Sequence, residues 1–193
     1  MLMPTPTPDP SPSSARLTDT DTLRRRAREH LTDGAVTEGY GERREQVLAL
    51  LGAALATELV CVLRYRRHHF MARGIHAKAV ADEFLVHANE ELMHADWLAE
   101  RIMQLGGEPD MAPDSLTARS HAQYVEGETL ADMIRENLVA ERIAIDSYRD
   151  AILFLGQEDP TTRRLLEKIL ATEEEHADEL ANLLPAHGAS APA

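Results

Sequence analysis

Four long segments with helical periodicity constrain the fold of this chain more than any other feature of its sequence. Apolar residues recur about every 3.6 residues over four segments, at roughly 42–73, 77–105, 130–155 and 160–184. A glycine or a proline follows each segment, in order Gly74, Gly106, Gly156 and Pro185. Asp159 and Pro160 provide an N-cap and a first helical residue for the fourth segment. We therefore predict an all-α fold.

The connections between the four segments predict how the helices are arranged. Tight turns join the first segment to the second and the third to the fourth, whereas a longer link, residues 106–129, separates the two pairs. A bundle that simply runs up, down, up and down would not need a link of this length. We predict a four-helix bundle made of two helical hairpins joined by a long crossover, with a short helix in the crossover at about 115–124.

The chain outside the bundle falls into three further parts. We divide the whole chain into a disordered N-terminal tail (1–17), an N-terminal helical extension (18–40), the bundle (41–185) and a disordered C-terminal tail (186–193). The first tail is rich in Pro, Thr and Ser and has no hydrophobic period. In the extension we expect a short helix over 23–31, capped by Thr20 or Asp21 and ended before Gly34.

The acidic charge balance of the chain restricts its partners. Asp and Glu number 33 against 20 Lys and Arg, a net charge of −13. A protein that binds duplex DNA usually presents a basic face, so DNA is not an expected partner. The triplet Arg24-Arg25-Arg26 is one candidate basic patch, and we interpret it as a solvated helix face. An acidic protein suits the attraction of cations instead.

Two features indicate a cytoplasmic protein. Cys61 is the only cysteine, which rules out an intrachain disulfide and is typical of a reducing compartment. The first residues, MLMPTPTPDPSPSSA, lack the apolar core of a signal peptide. No apolar run approaches the roughly 18 residues that span a bilayer, so we expect no membrane partner.

Glutamate and histidine recur in the helical segments with a repeated spacing. Glu-x-x-His occurs twice, as Glu91 with His94 and as Glu173 with His176, and residues at i and i+3 share one helix face. Single glutamates stand inside apolar runs of the other two segments: Glu58 in AALATELVCVL and Glu141 in NLVAERIAI. Glu91 follows Glu58 by 33 residues and Glu173 follows Glu141 by 32. Tyr65 and Tyr148 each follow their hairpin's single glutamate by seven positions, so the two hairpins read as halves of one pseudo-symmetric site.

Four glutamates at one level of a bundle core require cations. An unpaired buried charge costs several kcal/mol, and neighbouring carboxylates raise one another's pKa. Two divalent metal ions remove both problems, and mixed carboxylate and imidazole donors suit iron or manganese, with zinc a competitor in vitro. A single Glu-x-x-His is a weak signal, but two in this repeated pattern predict a dinuclear metal centre.

Three roles are open for His87, which lies seven residues before His94: an accessory iron site, a residue that orients a ligand, or a hydrogen-bonded core histidine. Asp96 and Glu174 are candidates to orient the two ligand histidines.

The chain resembles the bacterioferritin and Dps-like branch of the ferritin-like superfamily over about residues 46–184. The most specific stretches are NEELMHADWLAERI, IRENLVAERIAIDSYRDAI and ATEEEHADEL. The resemblance implies two iron ions per subunit and assigns a role to each candidate residue. Glu58 and Glu141 would be terminal ligands, Glu91 and Glu173 would bridge the two ions, and His94 and His176 would complete one coordination sphere each. Tyr65 falls where bacterioferritins place a tyrosine close to the diiron site.

Three departures from the family pattern narrow what the resemblance implies. Bacterioferritins bind haem through a methionine directly after the bridging glutamate of the second helix, and Leu92 at that position argues against haem. Few residues follow His176, and the long link is similar to that of Dps-like proteins, which favours a shell of 12 subunits over one of 24. Archaeal members carry a cysteine pair near the site, where this chain has His121 and Ile143.

From these observations we expect a ferroxidase and iron-storage protein. It would oxidise Fe(II) with H₂O₂ or O₂ at the diiron site and sequester Fe(III) inside a hollow homo-oligomeric shell, in a role connected with oxidative stress. One alternative is a DNA-binding, stress-protection shell in which iron oxidation is secondary. The other is a di-manganese or di-iron catalase or oxygenase.

Overall fold

The computed structural model describes residues 17–40, 43–75 and 77–184. Within these ranges the chain forms six α-helices and no β-strand: α1 (Thr20–Arg26), α2 (Arg44–Met71), α3 (Ala77–Gln104), α4 (Leu116–Arg119), α5 (Leu130–Leu155) and α6 (Pro160–Leu183). The prediction of an all-α fold is confirmed. Residues 1–16 of the predicted N-terminal tail, Pro185 and the predicted C-terminal tail lie outside the described residues.

The four long helices begin and end within about two residues of the predicted limits because local signals set their ends. Asp159 caps α6, its Oδ1 accepting the Thr162 N–H at 3.0 Å, and Pro160 occupies the first turn. Thr129 and Asp132 form a reciprocal capping box at the start of α5. Gly156, with φ of +55°, ends that helix in a conformation that glycine adopts readily.

The long helices form two hairpins that face each other. Helix α2 packs mainly on α3, and α5 mainly on α6, while α2–α5 and α3–α6 contacts join the two hairpins. Tyr65 of α2 contacts Glu141 of α5, and Tyr148 of α5 contacts Glu58 of α2, so these two helices run antiparallel. The predicted bundle of two hairpins with a long crossover is confirmed.

A layer of buried charged side chains separates the two larger clusters of the apolar core of the bundle. Leu51, Leu98 and Leu166 lie in the cluster on one side of this layer, and Phe84 and Leu180 lie in the cluster on the other side. The layer itself contains Glu58, Glu91, His94, Glu141, Glu173 and His176, each at most 1% exposed. The bundle therefore holds its charged residues at one level between two well-packed ends.

The crossover contains less helix than the sequence predicts. We expected a helix over about 115–124, but α4 ends at Arg119, and the following segment lies along α2. Polar groups of α2 bind its backbone: the Thr57 hydroxyl accepts the His121 N–H at 2.9 Å, and the buried Arg64 donates to the Gln123 carbonyl at 2.9 Å. These tertiary hydrogen bonds replace the helical ones that the segment would otherwise make.

The N-terminal extension also differs from expectation. Helix α1 is capped by Asp19, which accepts the Thr22 N–H at 2.9 Å, and therefore begins and ends earlier than the predicted 23–31. The extension is joined to the bundle at Tyr40. The Tyr40 hydroxyl contacts the Asp159 carboxylate and accepts from Arg101 at 2.7 Å.

Helix α2 is long and apolar enough to cross a membrane, judged by length and composition alone. The expectation that no segment reaches this limit is wrong. The reason lies in the packing, since 56% of its most apolar window is buried inside the protein. A helix at the centre of a bundle meets the same criterion because most of its surface faces other helices.

Arg101 provides a test of how the extension and the α6 cap are held. Arg101 and Asp159 form a buried ion pair at 3.1 Å, and each side chain is only 7% exposed. Replacing Arg101 by leucine leaves a buried carboxylate without its cation, so we expect the free energy of unfolding to fall by about 3–5 kcal/mol. Denaturant unfolding followed by circular dichroism measures this loss.

The matched control is Arg135→Leu, which breaks the exposed pair of Arg135 with Asp132. An exposed pair contributes about 1 kcal/mol or less, so this variant should unfold close to the wild type. Equal losses in the two variants would contradict a structural role for the buried pair.

Candidate metal centre

The six residues predicted as metal ligands converge at one level of the bundle. Each long helix contributes from its inner face: Glu58 from α2, Glu91 and His94 from α3, Glu141 from α5, and Glu173 and His176 from α6. The i, i+3 spacing on α3 and on α6 points a carboxylate and an imidazole in the same direction. The structure therefore brings together every residue in the predicted set.

The donor atoms fall into two groups that share two glutamates. Glu58, Glu91, His94 and Glu173 each place one donor atom within 4.8 Å of the others, and so do Glu91, Glu141, Glu173 and His176. Glu91 lies 3.3 Å from His94 Nδ1 through Oε2 and 3.6 Å from His176 Nδ1 through Oε1. Glu173 likewise lies 2.9 Å from His94 through Oε1 and 3.8 Å from His176 through Oε2. Each shared glutamate thus turns one oxygen to each half of the site, which is the geometry of a bridging carboxylate.

A tyrosine from the opposite hairpin holds each unshared glutamate. The Tyr65 hydroxyl contacts Glu141, and the Tyr148 hydroxyl contacts Glu58. Both tyrosines are at most 2% exposed. The seven-residue spacing in the sequence identified both tyrosines, but only the fold shows that each one serves the other hairpin's glutamate.

The outer nitrogen of His176 is oriented by a residue that the sequence analysis missed. His176 Nε2 lies 2.8 Å from Glu90 Oε2, leaving Nδ1 to face the centre. The predicted candidates do not have this role, since Glu174 pairs with Arg149 at 2.6 Å and Asp96 is exposed. The i−1 position before the Glu-x-x-His motif was the only signal for Glu90, and it depends on how α3 and α6 pack.

His87 is buried next to the centre and joins it to the surface of the bundle. Its ring stacks on His176, with the ring centroids 3.9 Å apart. Nδ1 lies 3.2 Å from the Tyr65 hydroxyl, and Nε2 lies 2.9 Å from Glu179. Burial and the neighbouring His176 lower the pKa of His87 to about 4.

The chemistry of these six residues fits bound cations. Eleven buried side-chain nitrogen and oxygen atoms lack a hydrogen-bond partner among the described residues, and nine of them belong to the six. Buried polar atoms are otherwise almost always hydrogen-bonded, so this concentration marks a place where another partner is required. Metal ions at the centre would satisfy eight of the nine; the other is His94 Nε2, the second nitrogen of a ring whose Nδ1 faces the carboxylates.

Without metal ions, protons must offset the negative charge of the site. Burial and the charge of Glu91 raise the pKa of Glu58 well above its ordinary value, and burial with three neighbouring carboxylates does the same for Glu173. Burial opposes the charged form of both histidines, yet short contacts with the carboxylates and their attraction raise the pKa of His94 to about 10 and that of His176 to about 9. Glu91 has a lowered pKa: burial disfavours its charged form, but its short contacts with Glu58 and both histidines outweigh that effect.

Comparison with known proteins gives a consistent family assignment. The model of the ferritin-like domain matches residues 48–186. The bacterioferritin of Desulfovibrio desulfuricans is 27% identical over 136 residues, covering 70% of this chain and 72% of that protein. A solved structure of the D. desulfuricans bacterioferritin, which describes its diiron site, superposes with a TM-score of 0.66 over 75% of this chain and 81% of that one, at 26% identity.

Two further relatives differ in what their names record. A dodecameric thioferritin, the bacterioferritin-related protein of Bacteroides fragilis, is 30% identical with a TM-score of 0.70, over 72% of this chain and 84% of that one. A nutrient stress-induced DNA-binding protein of Nostoc sp. is 30% identical over 137 residues, covering 69% of this chain and 74% of that protein.

The raised pKa values of His94 and His176 predict an unusual pH dependence of the metal-free protein. A histidine whose pKa is higher in the folded than in the unfolded protein stabilises the folded state. This stabilisation is complete below pH 6.5, the pKa in the unfolded protein, and is lost as the pH rises through the pKa in the folded protein. The melting temperature of metal-free protein should therefore fall by about 5 °C or more between pH 6.5 and 9.5. Thermal unfolding in the presence of a chelator measures this change.

The zinc-loaded protein is the matched comparison, because metal ions take the place of the protons and zinc undergoes no redox chemistry. Its melting temperature should stay nearly constant over the same interval. If the melting temperatures of the metal-free and zinc-loaded forms changed with pH in the same way, the assigned protonation of the two histidines would be contradicted.

Proposed function

This chain belongs to the ferritin-like domain family, and on that premise we propose that it oxidises Fe(II) at a dinuclear site and stores the resulting Fe(III). The observation that carries the proposal is the pair of donor groups joined by Glu91 and Glu173. The proposed terminal ligands are Glu58 and Glu141, the bridging ligands are Glu91 and Glu173, and the imidazole ligands are His94 and His176.

Charge balance supports two divalent ions rather than one. Four ionised glutamates carry four negative charges in an interior where each member is at most 1% exposed. Two Fe(II) ions with two neutral histidines make the set neutral, whereas a single ion leaves two uncompensated buried charges. Mixed oxygen and nitrogen donors suit iron and manganese, and the diiron site of the related bacterioferritin favours iron.

The residues around the proposed ligands orient the side chains that would bind the substrate ions. Tyr65 and Tyr148 fix the orientation of the two terminal glutamates, and Glu90 fixes the ring of His176.

In the proposed reaction, two Fe(II) ions give up one electron each. With H₂O₂ and two protons they yield two Fe(III) and two water molecules; with O₂ and two protons they yield two Fe(III) and one H₂O₂. The bridging glutamates keep both ions close enough to supply the electrons together.

A hollow shell of identical subunits is the proposed place of storage. The B. fragilis relative is dodecameric, and this chain exposes large apolar side chains of the kind that subunit contacts cover, among them Phe70, Ile75 and Leu153. We therefore favour a shell of twelve subunits over one of twenty-four.

The proposed physiological role is protection against oxidative stress, in which H₂O₂ is removed together with iron. Haem forms no part of the proposal, and the proposed location is the cytoplasm.

The first alternative, a DNA-binding shell, has support from the name of the Nostoc relative. In this chain the Arg24-Arg25-Arg26 triplet is paired with acidic residues: Arg24 lies 3.5 Å from Asp21, Arg25 lies 3.2 Å from Glu29 and Arg26 lies 2.7 Å from Glu38. With a net charge of −13 this arrangement favours a solvated surface over a phosphate-binding one. The second alternative is a di-manganese or di-iron catalase or oxygenase. An oxygenase with an organic substrate needs an open site, and the near-complete burial of the six residues disfavours it.

Glu91 tests the proposed dinuclear centre. Wild type should bind about two Fe(II) per chain at the dinuclear centre under anaerobic titration, and on addition of H₂O₂ or O₂ these ions should be oxidised much faster than Fe(II) in buffer alone. Glu91→Ala removes a bridging carboxylate, so we expect these two ions to be lost and the initial rate to fall by about 100-fold or more. Absorbance of the ferric product measures the rate, and comparison of the two oxidants shows which one is preferred.

Glu100→Ala is the control, because Glu100 is exposed on the same helix and lies outside the centre. This variant should bind and oxidise iron like the wild type. If wild type bound Fe(II) no better than Glu91→Ala, the proposed site would be wrong.

The proposed shell predicts the mass of the protein in solution. Light scattering on the eluate of a size-exclusion column should give a mass of about twelve chains, and electron microscopy should show hollow particles. A monomer or a dimer at micromolar concentration would contradict storage in a shell.

A further inference from the structure

A second group of metal-binding side chains lies beside the proposed dinuclear centre. Glu83 and His87 of α3 and Glu179 of α6 each place one donor atom within 4.8 Å of the others. His87 is fully buried, whereas the side chains of Glu83 and Glu179 are 36% and 44% exposed. The group therefore reaches from the bundle interior to solvent.

The distances in this group suit one metal ion. His87 Nε2 lies 2.9 Å from Glu179 Oε2 and 3.5 Å from Glu83 Oε1. Donor atoms that are each about 2.0–2.2 Å from the same ion lie about 3–4 Å apart. An ion could thus bind all three atoms with only small side-chain movements, and the half-exposed glutamates are free to make them.

The hydrogen bonds around His87 also call for a cation at Nε2. Tyr65 has a single hydroxyl proton, and its contact with Glu141 uses that proton when Glu141 is ionised as a ligand. The Tyr65 oxygen can then only accept from His87, whose Nδ1 lies 3.2 Å away and must carry the ring proton. In a neutral ring this leaves the Nε2 lone pair facing two carboxylates, an arrangement that is repulsive unless a positive ion lies between them.

The group is connected to the dinuclear centre in two ways. The His87 ring stacks on His176, at 3.9 Å between centroids, and the hydrogen-bonded path from His87 through Tyr65 ends on Glu141. Glu90, which orients His176, is a third half-exposed carboxylate beside the two stacked rings. Acidic side chains at this opening would raise the local concentration of cations.

We propose that Glu83, His87 and Glu179 form a third site for a divalent transition-metal ion, and that this site supplies Fe(II) to the dinuclear centre. The supply role and the position of the ring proton on His87 rest on the proposed function, whereas the geometry of the three donor atoms does not. Its ligand class is a cation that accepts both carboxylate and imidazole donors, such as Fe(II), Co(II) or Zn(II).

Anaerobic titration with Co(II), followed by calorimetry and visible absorption, tests the site. Wild type should bind about three ions per chain. Glu179→Gln keeps the shape of the side chain but removes its charge, and should lose one ion while keeping the dinuclear pair. Glu91→Ala should lose the dinuclear pair while keeping the third ion. Glu83→Gln is a second variant, expected to weaken the same ion by about tenfold or more.

Asp178→Asn is the matched control, because it removes the same charge from an exposed position one residue away and outside the group. It should bind as wild type does. If wild type and Glu179→Gln bound the same number of ions, the third site would be overturned and the proposed function would be untouched. If Glu91→Ala bound as wild type while Glu179→Gln lost an ion, the dinuclear centre would fail and the third site would stand.

Stopped-flow oxidation of Fe(II) at less than one ion per chain tests the supply role. Removing a charged residue at the opening should slow the initial rate of Glu179→Gln by about tenfold or more relative to Asp178→Asn. Equal rates in these two variants would overturn the supply role.

Discussion

Four glutamate side chains buried at one level of a helical bundle are the constraint on which the rest of this structure depends. Their mutual repulsion and lost hydration would destabilise any packed interior unless positive charge is placed among them. In the metal-free protein protons supply it, which is why the pKa values of Glu58, Glu173, His94 and His176 are all raised. Two divalent ions would supply the same charge, so the burial of four carboxylates explains both the raised pKa values and why this layer is a candidate metal centre.

Apolar clusters and two tyrosines surround this layer of charged side chains. Apolar clusters close both ends, and one tyrosine belongs to each: Tyr148 to the cluster with Leu51 and Leu166, and Tyr65 to the cluster with Phe84 and Leu180. Because each tyrosine reaches across to the other hairpin's glutamate, the two hairpins cannot shift relative to each other without breaking the site. The contacts that join the two hairpins therefore also shape the site.

The two sides of the bundle outside this layer use their buried polar groups differently. Along α2, Thr57 and Arg64 bind the backbone of the crossover, and Arg101 connects Tyr40 with the cap of α6. These groups have partners and are structural. Next to the centre, His87 instead lies against two half-exposed glutamates, Glu83 and Glu179, which is where we propose the third metal site.

The sequence alone determined the helices and the set of candidate ligands. Periodicity, glycine ends and the Asp159-Pro160 start are local signals, so the limits of the long helices followed from them. The six candidate ligand residues were identified because a glutamate in an apolar run is costly and the spacing repeats in both hairpins, which are properties of the chain itself. The pairing of the helices followed from the lengths of their connections.

The tertiary structure decided what depends on neighbours distant in the chain. Whether Glu90 or Glu174 orients His176 is set by the rotation of α6 against α3, and the helix in the crossover is short because groups of α2 bind the backbone beyond Arg119. The partners of His87 come from α2 and from α6, 22 and 92 residues away, so no local pattern could place them. Short-range propensity fixes which residues form each helix, but contacts across helices fix which buried polar groups meet, and these contacts decide the surroundings of the site.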